Sequence, residues 1–212
     1  MKMIRNILFD FGGVIFRLND VSEPIRRFRA LGFEDAEQYL GIYGQRGLFL
    51  ELETGEISEA QFLVELAAKC GRASVSFEEA LWAWMGYVRD VPPEGLAGLL
   101  RLRAHYKLGL LSNTNPFIQK WARSADFSGD GHSIYHYVHE LYCSHELHIC
   151  KPSQVIFQKA LKLGNMQADE TLFLDDSPAN VEAARRAGMR GLLVMPDGQW
   201  MAALERCLGG ES

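Results

Sequence analysis

Ile4-Arg5-Asn6-Ile7-Leu8-Phe9-Asp10-Phe11-Gly12-Gly13-Val14 is the stretch on which the fold turns. Its apolar run, Ile4–Phe9, is stopped by a carboxylate at position 10 and followed closely by two glycines. A mostly continuous apolar run of this length is the pattern of a strand covered on both faces, which puts Asp10 at the strand's carboxyl end. Four further runs read the same way: Lys107–Ser112, Glu140–Cys143, Thr171–Asp175 and Gly191–Met195. Helical patterns separate those in the second half, over Pro116–Ser124, Pro152–Leu163 and Pro178–Ala187. Gly164 and Gly188 follow the latter two, and proline opening a helix with glycine just past it is common punctuation. The alternation predicts an α/β fold: a Rossmann-like, doubly wound parallel sheet with helices on both faces.

One stretch breaks the rhythm. From about Phe16 to Val91 the sequence carries no convincing strand, only helical segments. Ser58 with Gln61 and Ser76 with Glu79 have capping-box spacing, each opening an amphipathic helix. Ile25, Phe28 and Leu31 share one helical face, and so do Phe62, Leu66 and Cys70. The expected organisation is a core of residues 1–15 and 92–212, interrupted by an all-helical insertion over 16–91. Pro92-Pro93 marks the return to the core.

Composition narrows the function classes. The chain has 212 residues, 48% hydrophobic and 23% charged, enough for a full hydrophobic core. Lys and Arg total 22 against 27 Asp and Glu, a net charge of −5, so no basic footprint points to nucleic acid. No window approaches the ~20 apolar residues of a membrane span, and the N-terminus lacks the pattern of a signal peptide. Cys70, Cys143, Cys150 and Cys207 are widely spaced without a CxxC, which suits reduced thiols. The expectation is a cytoplasmic protein.

Polar residues interrupt the apolar runs at informative places. The first strand ends in Asp10, the second in Ser112-Asn113-Thr114-Asn115, and the fourth in Asp175-Asp176-Ser177, while Lys151-Pro152 opens the helix after the third. Ligands of an open parallel sheet bind at the carboxyl ends of its strands, so these clusters share one edge. Each has an ordinary alternative. Asp10 has the residue type of a turn or cap, Ser112-Asn113 of an N-cap cluster before Pro116, and Lys151 of a solvated lysine. Adjacent carboxylates such as Asp175 and Asp176 repel, and near a third carboxylate they call for a cation, although one of them has the type to cap the helix at Pro178.

The ordered set resembles the haloacid dehalogenase superfamily, in its phosphatase-like branch with a small helical cap after the first strand. The similarity spans nearly the whole chain, through Asp10, Leu110-Leu111-Ser112-Asn113, Lys151-Pro152 and Phe173-Leu174-Asp175-Asp176-Ser177 with Asn180 and Gly188. Leu110–Asn115 looks like the subgroup of sugar-1-phosphate phosphatases and epoxide hydrolase N-terminal domains.

The resemblance implies sheet order 5-4-1-2-3 and Mg2+-dependent hydrolysis of a phosphate ester of a small metabolite. It makes Asp10 the nucleophile, forming an aspartyl phosphate. Magnesium ligands would be Asp10, the Gly12 carbonyl and Asp176, with Asp175 a further ligand or a carboxylate behind them. Lys151, the Ser112 hydroxyl and the Asn113 backbone N–H would bind phosphate. Gly12 departs from the commonest D-x-D pattern and cannot transfer a proton, though its carbonyl can still hold a metal.

Of five histidines between the second strand and Lys151, His145 and His148 are the candidates to replace that acid, and no spacing among the five matches a zinc pattern. Trp82, Trp84, Met85 and Tyr87 read as packing between insertion and core, with a share in lining the pocket as the alternative. Two other functions fit the same residues. One is a non-catalytic phosphate-binding relic that lost its acid at Gly12; the other is a dehalogenase using Asp10.

Overall fold

The computed structural model describes residues 2–209. Strands β1 (Asn6–Phe9), β4 (Lys107–Ser112), β5 (Glu140–Cys143), β6 (Thr171–Asp175) and β7 (Arg190–Leu193) form one sheet. All four pairings are parallel, in the order β5-β4-β1-β6-β7. Two short strands outside this sheet, β2 (Arg17–Leu18) and β3 (Val88–Asp90), account for the numbering. Counted by its own five strands in chain order, the sheet reads 5-4-1-2-3 from the β7 edge.

The continuous apolar runs are explained by two cores. Ile7, Phe9, Leu108, Leu110, Leu172 and Leu174 face one side of the sheet. Leu8, Leu111, Tyr142 and Phe173, alternating with them, face the other. Helices α9 (Gln154–Leu163) and α10 (Pro178–Arg186) cover the second side through Ile156, Phe157, Ala183 and Ala184. Helices α6 (Pro93–Arg103) and α11 (Met201–Gly209) bring Leu96, Leu99 and Leu204 to the first.

Between β2 and β3 lie α1 (Ser22–Ala30), α2 (Ala36–Tyr39), α3 (Leu48–Glu53), α4 (Glu59–Lys69) and α5 (Phe77–Trp84). Ser58 and Ser76 form full capping boxes, each accepting a backbone N–H three residues on while the Gln61 or Glu79 side chain binds back. The stretch is not purely helical, as the sequence suggested: β2 and β3 pair antiparallel at its two ends. Strands of two and three residues are too short to show a period in sequence.

These helices pack on an aromatic cluster. Phe49 lies 4.9 Å from Phe28, 5.3 Å from Phe62 and 5.4 Å from Trp84, ring centre to ring centre. Phe62 and Phe77 then meet Phe117 of α7 (Pro116–Ala122) at 5.6 and 4.9 Å. The helical stretch therefore shares its apolar core with the sheet side that ends at Asp10.

Candidate active site

Strand ends position the polar groups. The Asp10 N–H donates to the Leu174 carbonyl at 2.8 Å, fixing the first carboxylate at the carboxyl end of β1. Its Oδ1 accepts from the Phe11 N–H at 2.7 Å and pairs with Lys151 Nζ at 2.7 Å. Among the described residues no hydrogen bond reaches its Oδ2. Lys151 is 5% exposed, so it is not the solvated lysine that its type alone suggests. Its ammonium also meets Asp175 Oδ2 at 2.8 Å.

Asp175 is fully buried and fully engaged. Its Oδ1 accepts from the Ser177 N–H at 2.8 Å, and the Asn180 side-chain amide reaches both oxygens at 3.1 and 3.0 Å. Asp176 is its opposite: Oδ2 is buried and, among the described residues, has no hydrogen-bond partner. Gly13 explains how it fits. With φ of +79°, it passes so close that a Cβ there would meet Asp176 Oδ2 at 2.6 Å.

The electrostatics call for a cation. Burial, reinforced by the Asp175 charge, pushes Asp10 up to about 7 against the pull of Lys151. Burial and Asp175 likewise raise Asp176 to about 6. Burial disfavours the Lys151 ammonium, but Asp10 and Asp175 more than offset it and its pKa is raised. Three carboxylates thus share one ammonium, and one oxygen from each of Asp10, Asp175 and Asp176 lies within 4.8 Å of the others. No described donor reaches the nearby Gly12 carbonyl. Hard oxygen donors, one of them orphaned, fit a divalent cation such as magnesium.

The Ser112-Asn113 pair is free of the capping duty its sequence allows. Asn115 caps α7, accepting from the Phe117 and Ile118 N–H groups at 3.1 and 3.2 Å. Asn113 instead clasps residue 151: its Oδ1 accepts the Lys151 N–H at 2.8 Å and its Nδ2 donates to the Lys151 carbonyl at 2.9 Å. The Lys151–Pro152 peptide is cis. The Ser112 hydroxyl makes only a 3.3 Å contact with the Asn113 carbonyl.

Asp10, Gly12, Ser112, Asn113, Lys151 and Asp176 line one cleft of about 770 Å³, counting the part open to solvent; Asp175 sits behind them. Trp84 and Tyr87 line it from the facing side, whereas Trp82 lies on the surface. His145 and His148 are not on the lining. The His145 ring nitrogens face the Thr114 carbonyl at 3.0 Å and Gln119 Oε1 at 3.3 Å, away from the role of replacement acid. The space in front of Gly12 is filled, with Leu18 and Phe16 each 3.3 Å from where a Cβ would be.

Sequence reasoning missed Glu53, a 6% exposed carboxyl that also lines the cleft. The signal was present: α3 buries Leu48, Phe49, Leu52 and Glu53, and a glutamate on that stripe breaks its apolar pattern.

A parallel sheet with a carboxylate cluster at its carboxyl edge and a buried lysine between two of the carboxylates defines a hydrolase-like site. The chain belongs to the haloacid dehalogenase-like hydrolases, whose family model matches residues 4–188. It is 40% identical over 186 residues to the D-ribitol-5-phosphate phosphatase of Bacteroides thetaiotaomicron, covering 88% of this chain and 89% of that one. A HAD-like family hydrolase from Porphyromonas gingivalis is similar in structure, with TM-score 0.89, 37% identity and 98% of each chain covered. A HAD family enzyme of B. thetaiotaomicron, solved with magnesium and inorganic phosphate, gives TM-score 0.83 at 30% identity over 94% of this chain and 98% of that one.

Proposed function

We propose that this protein is a magnesium-dependent phosphatase that hydrolyses the phosphate monoester of a small metabolite, a sugar or sugar alcohol phosphate. The observation that carries the reading is the asymmetry of Asp10. Lys151 and the Phe11 N–H hold its Oδ1 at 2.7 Å, and Oδ2 is left free on a side chain that lines the cleft. A carboxylate fixed by one oxygen and free at the other is oriented for attack.

In this reading Asp10 Oδ2 attacks phosphorus, the alcohol leaves, and water then cleaves the aspartyl phosphate. Lys151 offsets the charge of Asp10 and of a phosphate oxygen. The Ser112 hydroxyl and Asn113 N–H bind other phosphate oxygens. Asp175 is a positioning residue, since both its oxygens are already engaged. Magnesium, held by Asp10, the Gly12 carbonyl and Asp176, supplies the positive charge that lets an anion approach a phosphoryl group. The orphaned Asp176 oxygen favours this over dehalogenation, which has no phosphate charge to balance. Residues 16–91 act as a cap that excludes bulk water over the core of 1–15 and 92–212. Four unpaired thiols suit the cytoplasm, and no described helix is long and apolar enough to cross a membrane.

Phosphate release from a panel of esters, with magnesium and with chelator, tests the reading. Without a carboxyl at position 12 the leaving oxygen departs unprotonated. Aryl, acyl and glycosyl-1 phosphates should therefore exceed simple alkyl phosphates by about 10²–10⁴-fold. Absence of magnesium-dependent release from every ester contradicts the phosphatase reading and leaves the relic. A flat dependence on leaving-group pKa contradicts the missing acid alone.

A further inference from the structure

Glu53 follows Phe49 by one helical turn and so shares its buried face. Its backbone carbonyl receives the Cys150 thiol at 3.8 Å. Among the described residues, nothing donates to its carboxyl. Glu53 is largely buried and lines the cleft, so the little its carboxyl shows is turned to the cleft. A polar group mostly withdrawn from water is normally paired, and one left open on a cleft wall points to a partner that arrives with a ligand. Trp84 Nε1 on the same wall is likewise buried and, among the described residues, without a partner, whereas the Tyr87 and Gln45 side chains are paired. The Tyr87 hydroxyl lies 3.1 Å from the Gly41 carbonyl and 3.2 Å from Gln45 Oε1. Gln45 Nε2 donates to the Gly41 carbonyl at 3.2 Å.

Position separates this wall from the acid cluster. Glu53 lines the cleft from α3, while Asp10, Lys151 and Asp176 line it from the sheet edge, and among the described residues no hydrogen bond or ion pair joins Glu53 to any of them. Glu53 therefore faces the tail of a bound ester rather than its phosphorus. Among the described residues Lys151 is the only cation on the lining, and Asp10 and Asp175 already hold it. A second anionic group on the substrate would find no counter-charge.

We propose that Glu53 is a specificity-determining residue whose carboxyl hydrogen-bonds a hydroxyl on the uncharged, polyhydroxylated tail of a monophosphate ester. The proposal rests on the phosphatase reading above and extends it to substrate class. Protonated, the carboxyl donates to the hydroxyl; ionised, it accepts from it. An alkyl tail leaves it unpaired, and a site built to hydrogen-bond a hydroxyl rejects the analogue that lacks one.

The test compares a pentitol 5-phosphate with n-pentyl phosphate, by kcat/KM with magnesium, on the full chain and its Glu53→Leu and Glu53→Gln variants. Removing the hydrogen bond in Glu53→Leu should cut the pentitol-to-pentyl ratio by about 10- to 100-fold, chiefly through KM. Glu53→Gln should keep most of the ratio, because an amide both donates and accepts. A ratio unchanged in Glu53→Leu overturns the proposal, whether both rates fall together, as for a proton donor or a structural residue, or neither falls.

Failure of the phosphatase reading shows separately, as no turnover of either ester or of phenyl phosphate by the unaltered chain. Calorimetry of both esters on Asp10→Asn, with and without Glu53→Leu, then decides the hydroxyl contact alone. A selective loss of pentitol ester affinity supports the contact. Equal affinity for the two esters, or no binding, overturns it.

Discussion

Asp175, at the sheet edge, engages both carboxylate oxygens with Ser177, Asn180 and Lys151; Glu53, across the cleft, engages neither among the described residues. Both side chains are buried, and the fold treats them differently because they answer to different partners. The sheet wall carries charges that hold each other in place before any ligand arrives, which is the arrangement that orients a nucleophile without reorganisation. Among the described residues the facing wall is apolar and aromatic apart from the Gln45–Tyr87 pair, the unpaired Trp84 indole N–H and the unpaired Glu53 carboxyl. Fixed geometry suits the reacting atoms, while an open hydrogen-bonding group suits the part of the substrate that varies.

The contrast breaks most sharply at Asp10. Asp10→Asn should reduce steady-state phosphatase activity to background while circular dichroism and the melting transition stay close to those of the unaltered chain. The amide has nearly the same volume but is not a nucleophile. Activity retained with the same substrate profile would remove Asp10 from its role.

Asp176→Ala comes next. The residue contributes an orphaned oxygen and no internal hydrogen bond through it, so its loss should raise the magnesium concentration for half-maximal rate and lower the rate by about 10²–10³-fold. Titration of activity with magnesium reads both, and normal activity at low magnesium contradicts the ligand assignment.

The smallest effect belongs to the opposite wall and concerns stability. Glu53 titrates at about 8 in the folded chain against an ordinary value of 4.5. Between those values the folded chain binds a proton that the unfolded chain lacks, so this group makes stability fall as pH rises through the window. Glu53→Gln should remove that component, flattening the slope by up to about 1.4 kcal/mol per pH unit. Urea unfolding across the window measures it, and equal slopes in both chains would show that the carboxyl does not titrate there.

The two walls also differed in how much of them the sequence disclosed. Asp10, Ser112 and Asp175 interrupt apolar strands at their ends, and a parallel sheet brings strand ends to one edge, so period and position together located them. The burial of Lys151 was not legible, because its neutralisation by Asp10 and Asp175 joins residues far apart in the chain. Nor was the clasp of Asn113 around residue 151, which depends on β4 lying beside β5. On the facing wall the capping boxes at Ser58 and Ser76 marked two helices, yet β2 and β3 were too short to register. Glu53 was readable only as a fault in the α3 stripe, visible once the limits of that helix are known.

The central claim is that Asp10 takes the phosphoryl group, and a single turnover followed by acid quench tests it directly. The chain without an acid at Gly12 should hydrolyse its aspartyl phosphate slowly, since nothing at that position activates water. Mass spectrometry of the digested, quenched protein should then find one phosphoryl group on the peptide containing Asp10 and none in Asp10→Asn. A phosphoryl group on another residue, or release of phosphate in full turnover with Asp10 never modified, would contradict the account.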